Sequence, residues 1–465
     1  MPALRGRASG GPVVVVGAGA AGLAAAALLR AAGQSFILVE ARERIGGRAF
    51  TDRALGAACR FDAGAEYIHW AERNPWAPIA RAAQAPVARE DGWARKLVID
   101  GRPATAAEAA QRRAGFSGLD ALLAPKAGDP SLAEAARAGG PDAATAAAGL
   151  SRLSLGEDPE RVSAVDYDRL WSGSDLWIDG YGDLVARHFA DLPVSLGCPV
   201  RAIDWSGRGV RVETARGTIA AAAAIVTVPV GVLKAGAVAF TPALPEAART
   251  ALDGLSMGAY TKIGLRLDPA RLDGAALGDA VSAATGGPTM YFEMQPFGRS
   301  LAVANLGGDL ARDLCRAGEA EAVALATERL VAVLGGGARS AVEAGRLAGW
   351  WTDPHARGSY SIAAPGHAEA RDRLRAPVGG RLFFAGEALA GGGAMTVGGA
   401  TLDGERAARA VLKALGGAAN IAAASHHAGR WRIVLVDPTR AGEIPVDQVR
   451  ATVRIATDTI HVLMY

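Results

Sequence analysis

An α/β fold built on a parallel sheet is predicted by three consecutive features near the N-terminus. Val13–Val16 is a run of four valines, which suits a strand covered on both faces. Gly17, Gly19 and Gly22 follow at once in G-x-G-x-x-G spacing and lead into Ala20 to Ala32, an Ala/Leu-rich stretch of strong helix formers that Gly33 can terminate. Phe36 to Val39 is a second strand, and it runs into the acid Glu40. Strand, tight turn, helix, strand and acid in this register make a Rossmann-type βαβ unit.

Each part of the unit has a physical job. Gly17 makes the turn, Gly19 lets backbone N–H groups approach a pyrophosphate, and Gly22 allows the helix close to the strand. The helix N-terminus, with Ala21 in its first turn, faces the phosphates, and Glu40 is placed to accept hydrogen bonds from a ribose. The unit therefore binds a dinucleotide. The glycines alone do not say which one.

Composition narrows the class. A chain of 465 residues exceeds one ordinary hydrophobic core, so two or more domains are expected. The net charge of +3 is small, and no Lys/Arg run or basic stripe supports nucleic-acid binding. Cys59, Cys198 and Cys315 stand far apart with no C-x-x-C pair, which reads as buried thiols in a reducing, cytoplasmic setting. The seven histidines show neither H-x-H nor H-E-x-x-H spacing, so no metal site is expected. Arg5 and Arg7 precede an uncharged run from Gly10 to Leu29, but its three turn glycines fit the dinucleotide unit better than an export signal or a membrane span. A second apolar run, Ile219 to Leu233, is broken by Thr227, Pro229 and Gly231 and reads as a buried strand and turn.

The residues after Glu40 single out a cofactor. EARERIGGRAFT, with Ala41, Arg42, Arg44, Gly46, Gly47, Arg48 and Thr51, resembles the extended FAD signature of the flavin-containing amine oxidases. Two glycines permit close backbone approach, and Arg48 is a fixed cation for a phosphate or for holding the loop. The resemblance implies FAD, and Ser359, which cannot form a thioether, implies that it is held non-covalently. FDAGAEYIHW, Phe61 to Trp70, resembles the family's next segment and carries Gly64 and Ala65, where the backbone can pass close to a flavin, and Glu66, Tyr67 and His69, which could face the cavity. Residues 71 to 175, rich in Ala, Arg and Glu, read as helices of a second domain with little strand character. At Asp179 to Gly182 the resemblance resumes, and it implies that Val200 lies against the adenine.

In MGAYTKIGLRLD, Ile263, Leu265 and Leu267 alternate with Lys262, Gly264 and Arg266, so Lys262 is expected to point away from the core. The resemblance implies that Lys262 acts beside flavin N5 through a water. Thr289 to Leu306 reads as further strand and Ala311 to Leu334 as one long helix; Gly335 to Gly337 ends that helix and is no second dinucleotide site. In GWWTDPHARGSYS the resemblance implies Trp350 or Trp351 beside the isoalloxazine, Trp351 being the one expected to touch the cofactor, and Tyr360 as a wall of an aromatic cage. RLFFAGEA brings Gly386 and Glu387 near the ribityl and pyrophosphate groups, and the helix beginning near Val397 points at flavin N1 and C2=O. Two departures stand out: Thr396 replaces the second cage aromatic, and Ser359 stands where monoamine oxidases place the cysteine that bonds the flavin.

The resemblance, spanning roughly residues 12 to 416, implies a discontinuous FAD domain from 11–70, 176–256 and 369–416, and an α+β substrate domain from 71–175 and 257–368. The extension 417–465 has no place in that pattern; RWRIVLVD and ATVRIATDTIHVLMY alternate like a pair of strands, His426, His427, Arg430 and Arg432 lie before or within them, and a hairpin, a homo-oligomer contact and a divergent end stay open. The activity implied is removal of a hydride equivalent from an amine's α-carbon, with O2 reoxidising the flavin to give hydrogen peroxide. An L-amino-acid oxidase is one alternative. A desaturase or dehydrogenase of the carotenoid or porphyrinogen type is the other.

Overall fold

The computed structural model describes residues 11–89, 96–125, 127–272, 279–283 and 288–414, together with the backbone of four strands between 421 and 464. Arg5, Arg7 and the side chains of His426, His427, Arg430 and Arg432 lie outside the described residues.

Five parallel strands form the nucleotide-binding sheet, in the order Val194–Ser195, Phe36–Val39, Val13–Val16, Ala223–Val226, Leu382–Phe384. Val13 pairs with Phe36 on one side and Ala223 on the other, so these strands end level and their C-terminal ends form a single edge. The valine run is covered on both faces. Val13 and Val15 pack under the helices Ala20–Ala31 and Val397–Ala414, while Val14 and Val16 pack into a separate core with Ile203, Val212 and Leu374. The two helices cross in close contact at Gly404, where a Cβ would lie 2.0 Å from the carbonyl oxygen of Ala21.

The second sheet has seven strands, in the order Val342–Leu347, Thr261–Leu267, Leu301–Leu306, Met290–Met294, Ala280–Ala283, Lys96–Ile99, Arg102–Pro103. Lys96–Ile99 comes from the stretch expected to be helical, and it becomes a strand because Ala280–Ala283 offers it a parallel partner. Another part of that stretch, the helix Trp76–Ala82, joins the nucleotide core: Trp76 is fully buried there and its indole N–H donates to Thr401 Oγ1 at 2.9 Å. The single helix expected over 311–334 breaks at Gly318, whose φ of +100° ends Asp309–Ala317 before Glu319–Leu334 begins. In the extension, four antiparallel strands rather than two form their own sheet, in the order Ile421–His427, Arg430–Leu435, Thr459–Met464, Val449–Arg454. No helix among the described residues is long and apolar enough to cross a membrane.

Candidate active site

A cavity of about 670 Å³ opens at the C-terminal edge of the parallel sheet and reaches the inner face of the seven-stranded sheet. Its nucleotide end is lined by Gly17, Gly19, Ala21, Glu40, Ala41, Arg42, Gly46, Gly47, Arg48 and Val200. Gly64, Ala65, Glu66, Gly386, Glu387, Thr396 and Val397 line it further along, as do Lys262, Tyr360 and His69. Gly22 lies behind this surface, against the turn: a Cβ there would sit 1.8 Å from the carbonyl oxygen of Gly17. A Cβ on Gly19 would instead meet nothing within 4 Å and would project into open space.

These residues fit a dinucleotide. The helix Ala20–Ala31 has no side-chain cap, and the first-turn N–H groups of an uncapped helix have no intrahelical acceptor, so they are free for a pyrophosphate. Glu40 accepts from Ala18 N–H at 2.7 Å through Oε2 and from Arg42 N–H at 2.9 Å through Oε1, which fixes the carboxylate and leaves lone pairs on both oxygens for ribose hydroxyls. Arg42 is held by Asp353 in a two-point ion pair, at 2.9 and 2.6 Å. Burial and the charge of Arg42 lower the Arg44 guanidinium to about 10, and it lies over the Phe50 ring. Arg48 donates to Ser359 O at 2.8 Å and to Glu387 Oε1 at 3.0 Å, so it ties the loop to the strand-end acid.

Glu387 is the hub of a buried network. It accepts from Arg48, Ser361 and Met395, and Ser361 is held in turn by Arg371, which pairs with Asp166. Burial alone would raise the Glu387 carboxyl, but Arg48 and Arg371 hold it below the usual range. The Val397–Ala414 helix begins against this network. Thr396 caps it, accepting from Gly399 N–H at 2.9 Å and donating to Gly393 O at 2.8 Å.

Lys262 lies opposite Ile263, Leu265 and Leu267, as strand alternation implied, but that face is not solvent. The face opposite Ile263, Leu265 and Leu267 is covered by a second layer containing Leu55 and Phe61, which comes within 3.1 Å of a Cβ placed on Gly264. Lys262 is therefore buried, with its ammonium 2.5 Å from Glu66 Oε1 and 2.9 Å from Asp62 O. Two of its three N–H donors are committed, and one is left for the cavity. Trp351, expected to touch the cofactor, does not line the cavity. Its ring packs between two hydrophobic cores with the Arg312 guanidinium 4.7 Å from its centroid, whereas Trp350 lines the cavity and donates to Ala63 O at 2.8 Å.

Tyr360 donates to Ser154 O at 3.1 Å, and the Tyr260 ring lies 6.0 Å away, tilted by 32°. Burial, with Glu387 and Glu66 nearby, raises the Tyr360 phenol, so it stays neutral. Ser359 Oγ accepts from Tyr260 N–H at 2.9 Å. His69 is half-exposed at 2.9 Å from Asp175, which also lines the cavity.

Tyr260, Tyr291 and Glu293 are among the lining residues that the sequence did not single out. Tyr291 and Glu293 alternate with Met290, Phe292 and Met294, which are packed in the core of the seven-stranded sheet, and that alternation was a usable signal. Glu293 is almost fully buried and hydrogen-bonds to Glu66. Burial, and next the negative charge of Glu66, push its carboxyl well above the ordinary range. The reactive end thus holds one lysine and two buried carboxyl groups among tyrosine rings.

The family model described as flavin containing amine oxidoreductase matches residues 74–412, and that of an NAD(P)-binding Rossmann-like domain matches residues 15–81. Polyamine oxidase 2 of Arabidopsis thaliana is 28% identical over 410 residues, covering 81% of this chain and 83% of that one. Lysine-specific histone demethylase 1 homolog 1 of Oryza sativa subsp. japonica is 29% identical over 448 residues, 86% of this chain and 52% of its own length. A putrescine oxidase double mutant with redesigned cofactor binding superposes with a TM-score of 0.69 at 21% identity, over 87% of this chain and 99% of that one, which shows a shared fold. With a family model matching well over half its length and a dinucleotide cradle leading to a buried lysine, the chain belongs to the flavin-containing amine oxidoreductases and is an FAD-dependent enzyme acting on amines.

Proposed function

We propose that this protein is an oxidase of di- or polyamines that uses non-covalently bound FAD and O2 and releases hydrogen peroxide. One observation carries the substrate class: two buried carboxyl groups, Glu66 and Glu293, stand beside Lys262 in the cavity, where a second cationic nitrogen of the substrate would find a partner. Among the relatives are proteins named as polyamine oxidases, and among the structural neighbours are putrescine oxidases. FAD bound here would supply the oxidation by accepting a hydride equivalent from the α-carbon of the neutral amine; the imine forms as the nitrogen gives up a proton, and O2 would take up two electrons and two protons as hydrogen peroxide.

The chain's own residues bind, orient and polarise. Tyr260 and Tyr360 give the amine an apolar wall with fixed ring directions. Lys262, held by Glu66 and Asp62 O, presents its remaining N–H as a fixed positive group where charge develops. Ser359 has a hydroxyl where a thiol would be needed to bond the flavin, which supports non-covalent binding. The three cysteines are buried and free, as suits the cytoplasm.

An L-amino-acid oxidase needs a cation for the substrate carboxylate. Lys262 is already balanced by Glu66, and a second carboxyl stands beside the pair, so the reactive end opposes that substrate. A peroxide-coupled screen of mono-, di- and polyamines and amino acids on the purified holoenzyme tests the proposal. Peroxide from putrescine or spermidine at higher kcat/KM than from monoamines is expected; peroxide from amino acids alone would overturn it.

A further inference from the structure

At the reactive end the charges can be counted. Lys262 and Glu66 are 3% and 8% exposed and form an ion pair at 2.5 Å; Glu293 is 2% exposed and hydrogen-bonds to Glu66. An ionised carboxylate can only accept hydrogen bonds, so two carboxyls bonded to each other must hold a proton between them. With that proton in place, the cluster of one ammonium, one carboxylate and one carboxyl is neutral. A second carboxylate would be buried with no cation to balance it.

Every titratable group facing Glu293 fits this state. Glu66 comes from the Gly64–Tyr67 segment, Lys262 from the Thr261–Leu267 strand and Asp279 from the turn before Ala280–Ala283. Asp279 is occupied by Tyr291 Oη at 2.7 Å and Met294 N–H at 2.9 Å. Tyr260 is the remaining neighbour, its phenol kept neutral by burial and by the nearby Tyr360, Glu66 and Glu293. Among the described groups around it only Lys262 is cationic.

We propose that Glu66 and Glu293 share one proton in the amine-free enzyme and give it up when the second ammonium of a diamine enters, so that the site exchanges a proton for a substrate cation. The inference rests on the di- or polyamine reading above. An ammonium added to the neutral cluster leaves one uncompensated positive charge, and loss of the carboxyl proton to solvent restores balance: two cations now face two carboxylates. The reacting nitrogen must also bind neutral, because its lone pair is what becomes the imine. That deprotonation is common to mono- and diamines. The diamine therefore releases one proton more than the monoamine, and its affinity relative to the monoamine rises about tenfold per pH unit while Glu293 is protonated in the free enzyme.

The test is calorimetric titration of the anaerobically reduced holoenzyme, which cannot turn the amine over, with putrescine and with butylamine. Buffers of low and high ionisation heat report the protons released. One extra proton for putrescine, and none extra in Glu293→Gln, is expected, because glutamine donates to Glu66 as the protonated acid does but has no proton to exchange. Retained FAD absorbance shows that the variant is folded; should it fail to fold, the comparison of the two amines on the wild type decides alone. Preferential putrescine binding with no extra proton overturns the exchange and leaves the diamine reading standing. Putrescine binding no tighter than butylamine at every pH overturns both.

Discussion

Replacing Lys262 by methionine removes the ammonium while nearly keeping the side-chain volume, so its effect on stability should be electrostatic. In the wild type the ammonium is buried against Glu66 at 2.5 Å and donates to Asp62 O at 2.9 Å. Without it, Glu66 must either stay ionised and unpaired or take up a proton. Removing one member of a buried ion pair typically destabilises by about 3–5 kcal/mol. The lost hydrogen bond to Asp62 O adds about 1 kcal/mol. The penalty should therefore be about 4–6 kcal/mol, and adding Glu66→Gln, which removes the unpaired partner, should recover most of it. Urea unfolding of the wild-type holoprotein, the single variant and the double variant measures the difference. A double variant no more stable than Lys262→Met would refute the ion-pair account of Lys262.

Kinetics offer a separate measure of the same variant: Lys262→Met should slow flavin reoxidation by O2 more than flavin reduction by amine, and stopped-flow absorbance resolves the two; equal slowing would remove the ammonium from the oxygen step. Gly19→Val should lose FAD while the apoprotein melts like wild-type apoprotein, because its side chain enters open space reserved for the pyrophosphate. Gly22→Ala should lose both FAD and thermal stability, since its Cβ would lie 1.8 Å from Gly17 O; a normal melting temperature would contradict the packing described. Acid or heat should release FAD into the supernatant without proteolysis, and yellow denatured protein would show a covalent link.

The βαβ unit was legible because its determinants are local. Glycine spacing, the valine run and Glu40 all act within about thirty residues, and partner strands only completed the sheet. Lys96–Ile99 shows the opposite case. Four residues with one buried valine carry little strand signal, and the pairing that makes them a strand comes from Ala280–Ala283, far along the chain. The same applies to Trp351: in a turn no periodicity tells which of two adjacent tryptophans meets the cavity, and the Arg312 guanidinium claims the second.

The site was half legible for a related reason. Alternation on Thr261–Leu267 separated Lys262 from the apolar face correctly but could not tell water from a second protein layer, and Leu55 and Phe61 supplied that layer from two hundred residues earlier. Glu293 carries the argument further. As an acid on a strand it reads as a solvated side chain, yet its strand lies between Leu301–Leu306 and Ala280–Ala283, in the interior of the sheet, and its face looks onto Glu66. A carboxyl forced into that position is stable only if it is protonated or paired with a cation. The Lys262–Glu66 pair provides no second positive charge, so it is the fold, by burying both carboxyls beside a single ammonium, that makes the site receptive to a cation from outside.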